Sequence, residues 1–431
     1  MAKGRDELEK AQHLKPPTNR EREYIQAAEA IFDGNSSLSH EAHARAYSSA
    51  MAKLHADFPD DGEAAEFFAL SLITLAQDDV DAASNRAKAI AILAPILRAN
   101  PQNPGAAHYL IHAADTPELS PQGLEAARAY ARIAPDSSHA LHMPSHIFVR
   151  LGLWQEAIDS NLAAAASAAQ AIDMHLSDAH YQTHAMDFLQ YAYLQSGQEA
   201  AARRLVEDVK SVHRLTPEQV ADQESIFACR VAIELHRWKE AADLPIPQVR
   251  LSYQDTVYRV RTIGSARIGD VAAAKINFDK LTETIVAREA DMKKDGYRIP
   301  EGESIDSREA RAWLAFAEGK TGEAVKVLRS AAERQESEGV DSLSIPAREM
   351  LADMLLELHH PAEALAEYKA ALKISPNRFD GLYGAARSAE MAGNAAEAQG
   401  YFARLVEISA PTADRPELRD ARNFVAAKGA K

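Results

Sequence analysis

The sequence predicts an all-α protein built from stacked helical hairpins, and three observations carry that reading. Alanine and other good helix formers dominate long stretches such as NLAAAASAAQAI (161–172). Glycines and prolines fall mostly between segments of helical apolar spacing rather than inside them. A unit of roughly 34 residues recurs, in which two such segments flank a tight turn. No run of alternating polar and apolar residues marks a strand.

The recurrence is clearest near the C-terminus. IPAREMLADMLLELHHPAEALAEYKAALKISP (345–376) and NRFDGLYGAARSAEMAGNAAEAQGYFARLVEIS (377–409) each read as a helix, a turn at His359-His360 or Gly393-Asn394, an AEAL or AEAQ step, and a second helix. Ala364 and Ala398 fill the small-residue slot of the second helix, with Ala371 and Pro376 further on. These two segments resemble the tetratricopeptide repeat.

With those anchors as a ruler, earlier segments fall into line. FPDD (58–61) and IAPD (133–136) read as repeat ends. LGLWQEAI (151–158) repeats the turn through Gly152 and Ala157, and LQSGQEAAA (194–202) through Gly197 and Ala202. LHRWKEAA (235–242), RIGDVAAAK (267–275) and AEGKTGEAV (317–325) are further turns. About nine hairpins cover the chain, and since one short unit cannot bury its apolar face alone, neighbours must stack. The resemblance implies a right-handed superhelix with a concave groove. Residues 243–256 and 291–306 break the period with Pro, Gly or charge and read as loops or insertions. The expected organisation is therefore repeats over 1–242 with a His-rich wall, an irregular connection at 243–256, and repeats over 257–431, of which 345–409 are the most regular.

Charge excludes some functions. The formal net charge is −15, from 48 Lys and Arg against 63 Asp and Glu, so nucleic acid and anionic lipid surfaces are repelled on balance. No stretch reaches the roughly 18 to 20 apolar residues of a membrane helix, and MAKGRDELEKAQ has no apolar signal-peptide core. As written, the chain is expected in the cytoplasm. The solitary Cys229 rules out a disulfide framework and a thiolate cluster.

Histidine is concentrated: eight of sixteen lie between residues 108 and 184. In the repeat family, positions 2, 5, 9 and 12 of the first helix face the groove, and their spacing describes one narrow helix face. With Gly152 at position 15, HALHMPSHIF puts His139 at 2, His142 at 5 and His146 at 9. The preceding unit gives His108 at 5, His112 at 9 and Asp115 at 12, and the next gives His184 at 2 and Asp187 at 5. Glu63 and Glu66 fall at 2 and 5 one unit earlier. Six imidazoles from neighbouring repeats are thus expected on one wall, where they offer nitrogen ligands to a transition metal such as Zn, Fe or Mn, with Asp115, Asp187 or Glu66 binding the ion or orienting a ring. A metal-free wall that hydrogen-bonds a ligand, and a merely packed set, are the competing readings. Pro144 removes one backbone N–H, so the helix is expected to kink or to begin afresh there, re-aiming His139 and His142 relative to His146.

A second set consists of Arg150, Arg230, Arg259 and Arg387, at positions where some repeats hold the carboxylate of a bound peptide. Nucleotide loops, nucleophile elbows and the HExxH zinc motif are absent from the sequence.

The runs HYLIHAADTPEL, YARIAPDSSHALHMPSHIFVRLGLWQEAI, PAREMLADMLLELHHPAEALAEYKAALKISPNRF and GAARSAE are similar to a group of bacterial tetratricopeptide repeat proteins distantly related to tetratricopeptide repeat protein 38. That resemblance implies an all-helical array and names no activity. Members of the group often begin with a secretion signal, so a periplasmic location is expected if the N-terminus is shortened. Two functions follow as expectations. One is a binding or scaffold protein whose groove takes a peptide, partner protein or small ligand, its affinity tuned near pH 6 to 7 by imidazole protonation. The other is a metal-dependent hydrolase with its ion on the histidines and a carboxylate as base.

Overall fold

A computed structural model describes residues 2–32, 39–76, 81–247, 250–294, 299, 301–339 and 343–429. Parts of the two expected irregular stretches, at 248–249 and at 295–298 with 300, lie outside the described residues. Every regular element among the described residues is helical, as the composition predicts. The chain forms two compact units, residues 1–136 and 137–431.

The first unit holds α1 (Ala2–His13), α2 (Asn19–Phe32), α3 (His40–Asp57), α4 (Gly62–Leu75), α5 (Ala82–Ala99), α6 (Pro104–Ala114) and α7 (Ser120–Ile133), each packed on the next. Repeat ends form where the sequence places them. The Asp61 side chain caps α4 by accepting from the Ala64 N–H, and Arg20 grips the same carboxylate at 2.5 and 3.1 Å.

The second unit begins with α8 (Ser138–His142), α9 (Pro144–Leu151), α10 (Trp154–Asp173), α11 (His180–Gln195), α12 (Glu199–Asp208), α13 (Pro217–Glu234) and α14 (Trp238–Asp243). It continues through α15 (Leu251–Arg267), α16 (Val271–Lys294), α17 (Ile305–Ala317), α18 (Thr321–Glu338), α19 (Ala347–Glu357) and α20 (Pro361–Ile374), and ends with α21 (Phe379–Met391), α22 (Ala395–Ile408) and α23 (Pro416–Gly429). Of the expected irregular stretch 243–256, residues 251–256 are already helix in α15; the stretch falls inside this unit, where α14 and α13 both pack on α15, and the chain divides into compact bodies at 136/137.

Seven hairpins of the second unit share one device. Their turns carry a left-handed residue at Gly152, Gly197, His236, Gly269, Gly319, His359 and Gly393. Five residues later stands an alanine with no more than a trace of exposed surface: Ala157, Ala202, Ala241, Ala274, Ala324, Ala364 and Ala398. The left-handed residue ends the first helix, and the alanine lets the second helix approach it closely. Histidine tolerates this conformation better than bulky residues do, which explains its presence at two of the seven turns.

The second unit also closes on itself. The α20–α21 junction returns to α9, α10 and α11: the Trp154 Nε1–H donates to the Asn377 carbonyl at 2.8 Å, and the Asn377 amide donates to the Gly152 carbonyl at 3.1 Å. The Phe379 N–H donates to Gln195 Oε1 at 2.9 Å, and the Ala410 N–H to the Ser196 carbonyl at 2.9 Å. At the centre of this junction Arg378, 1% exposed, donates to Glu234, to Glu349 and to the Tyr191 hydroxyl.

Candidate functional site

Pro144 ends one helix and starts another, yet the backbone hardly turns. Met143 between them keeps right-handed helical dihedrals (φ −51°, ψ −37°) and its N–H reaches the His139 carbonyl at 2.9 Å. His142 and His146 therefore still face each other as one-turn neighbours, Nε2 to Nε2 at 3.1 Å. A helix does begin afresh at Pro144, as expected, and the two rings remain within reach of each other across it.

α11 brings the third ring. His184 stands with its centroid 4.5 Å from His142 and 6.2 Å from His146, and one ring nitrogen from each of the three lies within 4.8 Å of the others. Phe188, one turn along α11 and buried, packs against all three imidazoles at 4.7 to 5.3 Å. Asn161 of α10 fixes His142. The Asn161 Nδ2–H donates to the Ala157 carbonyl at 2.8 Å, which leaves Oδ1 as the acceptor 2.7 Å from His142 Nδ1. His142 Nδ1 must then carry the proton, and in the neutral ring Nε2 is the bare lone pair, aimed at His146.

Burial sets the charge of this wall. It holds His142 well below the ordinary histidine range, reinforced by the neighbouring His146 and His184, and pushes His184 down to about 4. His139, whose ring meets Tyr181 edge-on at 6.0 Å, is lowered for the same reason. Burial thus favours the neutral forms of His139, His142 and His184.

The other expected site residues are placed as follows. His108 and His112 of α6 belong to the first unit, with Nε2 atoms 3.1 Å apart and His108 stacked on Tyr130 at 5.3 Å. Also there, Glu66 accepts from the Asn103 amide at 2.5 Å, and Asp115 caps the end of α6. In the second unit Asp187 is held by Arg230 at 2.5 Å, so that pair joins an expected ligand-orienting acid to an expected peptide-binding arginine. Arg259 is half-buried and pairs with Glu309 at 2.6 Å, with Asp306 at 3.4 Å, and Arg387 binds Glu390 one turn on at 2.5 Å. Arg150 lies half-buried in the last turn of α9. Among the described residues no carboxylate shares the His142, His146 and His184 group.

Sequence reasoning missed a cleft beside this wall. It measures about 430 Å³ and is lined by residues from the start of α11 (His180, Thr183), from Arg214, from α13 (Gln219, Asp222, Gln223) and from Arg250 and Tyr253. His180 connects it to the wall, stacking on His184 at 5.7 Å. Asp222 is 2% exposed; Arg250 donates to its Oδ2 at 3.0 and 3.1 Å, while its Oδ1 has no hydrogen-bond partner among the described residues. Burial raises the Asp222 carboxyl above the usual range against the pull of Arg250. Arg214, on the opposite side in sequence, has a left-handed backbone at φ +67°. An aspartate one turn inside α13 and an arginine in a helix-free segment gave no sequence signal of a shared cavity.

No protein-family profile matches the chain, and no curated protein matches it in sequence. Solved structures do match in fold. The APC/C hetero-tetramer Cut9–Hcn1 aligns over 97% of this chain and 78% of its own at 11% identity and TM-score 0.41. A tetratricopeptide repeat protein from Parabacteroides merdae aligns over 67% and 97% at 11% identity and TM-score 0.36, and the human IFIT1 dimer with PPP-AAAA over 93% and 85% at 14% identity and TM-score 0.40. At these identities and scores they bear on neither ligand nor chemistry.

Proposed function

We propose that this array of tetratricopeptide-type hairpins is a binding protein, and that it takes a small zwitterionic ligand, a free amino acid or a short peptide, in the cleft at the start of α11. The carrying observation is the buried Asp222 carboxylate paired with Arg250 in the cleft wall. Arg250 holds one oxygen of this buried carboxylate, which keeps a fixed negative group in the cleft wall to attract a ligand ammonium. Arg214 supplies the opposite charge on the same cleft, and a left-handed arginine is a strained choice of the kind found at binding sites. A cleft of this volume, with a few convergent polar groups, suits a ligand of amino-acid to dipeptide size. Capture of a peptide carboxylate by Arg230, Arg259 and Arg387 is less favoured, since each is engaged by a carboxylate of this chain.

Calorimetric titration of the full chain with the free amino acids and a set of dipeptides tests this. At least one is expected to bind, Asp222→Asn to weaken it at least tenfold, and Gln223→Trp, which fills the cleft from a half-exposed position, to abolish it. Absence of binding across the panel, or binding unchanged in Gln223→Trp, refutes the reading.

A further inference from the structure

We propose that His142, His146 and His184 form a binding site for a divalent transition-metal ion, with Asn161 as the residue that orients the first ligand and one coordination position open to an exogenous ligand. The inference stands on the α8–α9–α11 wall and does not depend on the cleft.

Geometry carries it. Nitrogens bound at 2.0 to 2.1 Å around a tetrahedral ion are about 3.3 to 3.4 Å apart. The His142 and His146 Nε2 atoms, at 3.1 Å, already span one such edge, and the third nitrogen, within 4.8 Å, needs only a small ring movement.

The tautomer argues the same way. Asn161 leaves His142 with its lone pair on Nε2, so without an ion His146 must supply an Nε2–H to fill the gap. With an ion between them both Nε2 lone pairs coordinate, and the His146 proton moves to Nδ1, a change of tautomer with no change of net charge. A ligand histidine whose other nitrogen is pinned by a hydrogen bond is the usual arrangement at protein metal sites. Ser145, buried beside it, adds a second donor to the same Asn161 oxygen at 3.4 Å, steadying the orienting group.

The donor set selects the ion. Three imidazoles without a carboxylate suit Zn²⁺, Co²⁺, Ni²⁺ or Cu²⁺ and are poor for Ca²⁺ or Mg²⁺, which demand oxygen ligands. Phe188 beneath the rings keeps one side apolar, so the open position faces away from it and accepts water or an anionic ligand.

Co²⁺ is the probe, added to the chelator-stripped full chain. One equivalent is expected, with the intense visible bands of a four- or five-coordinate ion, and X-ray absorption of the Zn²⁺ form should show three imidazoles. His146→Gln with His184→Gln is expected to weaken binding at least a hundredfold with helical circular dichroism unchanged. Asn161→Ala should weaken it about 10- to 100-fold. His108→Gln with His112→Gln should retain the equivalent. Tight binding surviving in His146→Gln/His184→Gln overturns the proposal, as does its loss in His108→Gln/His112→Gln. Should the first pair of substitutions unfold the chain, the imidazole count in the unmodified protein decides: three supports the site, and fewer overturns it.

Discussion

Replacing Arg378 by methionine should uncouple the closure of the second unit, with a pH signature that a simple loss of packing lacks. Arg378 makes five hydrogen bonds: two to Glu234 at 2.9 and 3.2 Å, two to Glu349 at 2.9 Å, and one to the Tyr191 hydroxyl at 2.6 Å. All four side chains are buried, and they come from α11, α13, α19 and the residue just before α21. Methionine fills a similar volume but leaves two carboxylates without a cation. Removing one partner of a buried ion pair costs about 3 to 5 kcal/mol. For a unit of this size each kcal/mol moves the melting temperature by about 2 °C, so Arg378→Met should melt about 6 to 10 °C lower at pH 8.

The pH dependence follows from Glu349, which burial pushes up to about 7 against the attraction of Arg378. A carboxyl whose folded pKa exceeds its unfolded value of about 4.5 contributes stability below 4.5 and loses that contribution as pH rises through 7. Without Arg378 the bias at Glu349 grows, because the charge that opposes its burial is gone. The deficit of Arg378→Met should therefore be largest at pH 8 and shrink toward pH 5 as Glu349 takes up a proton. Scanning calorimetry from pH 5 to 8 reads both quantities, and Arg378→Met/Glu234→Gln/Glu349→Gln should recover most of the pH 8 loss. A deficit under 2 °C at pH 8, or one equal at both ends of the range, would show that the acids are not held by this arginine.

Other expectations rest on single sites. Gly152→Ala combines a left-handed φ of +64° with a Cβ placed 2.4 Å from the Pro376 carbonyl, whereas Gly319→Ala, at φ +78°, meets nothing within 4 Å. Gly319→Ala should cost about 1 kcal/mol in urea unfolding and Gly152→Ala clearly more, and equal midpoints would contradict the closure at Asn377. Glu309, pushed up to about 7 by burial that outweighs Arg259, loses its stabilising contribution as pH rises from about 4.5 through 7; Glu309→Gln should flatten the stability profile in that window, and an unchanged slope refutes the assignment. Pro144→Ala should leave Co²⁺ affinity within about threefold, since the backbone through Met143 is already helical; a larger change would mean that the proline shapes the site.

What the sequence revealed was local. A turn glycine and an alanine five residues later act within one hairpin, so seven hairpins could be read one at a time, including the two turned by His236 and His359. The one-turn pairing of His142 with His146 is local too. Arg378 was invisible because its partners lie 29, 144 and 187 residues away, and their meeting depends on how the whole unit closes. The arginines expected to hold a ligand looked available because a sequence shows a charge without its counter-charge: Arg259 meets Glu309 across 50 residues and Arg230 meets Asp187 across 43. Asn161 hid in an alanine-rich run, where a single polar residue reads as surface although it has no exposed area at all. Burial also lowers His142 and His184 from the range of an isolated imidazole, which the sequence alone does not show.

The two nitrogens 3.1 Å apart sharpen what the wall can be. If His142 and His146 existed only to satisfy each other, one donor and one acceptor would suffice, and glutamine at 146 would serve: its amide N–H can fill the lone pair that Asn161 fixes on His142. A metal centre asks for something glutamine lacks, a second nitrogen lone pair that becomes available once the ring proton changes places. His146→Gln therefore separates a structural pair from a ligand pair. Under the structural role it leaves thermal stability and Co²⁺ uptake both unchanged, whereas under the ligand role stability holds and Co²⁺ uptake falls. The presence of His184 across the gap, with Phe188 packed under all three rings, favours the second outcome, because a two-residue hydrogen bond gives no reason for a third imidazole to converge on it.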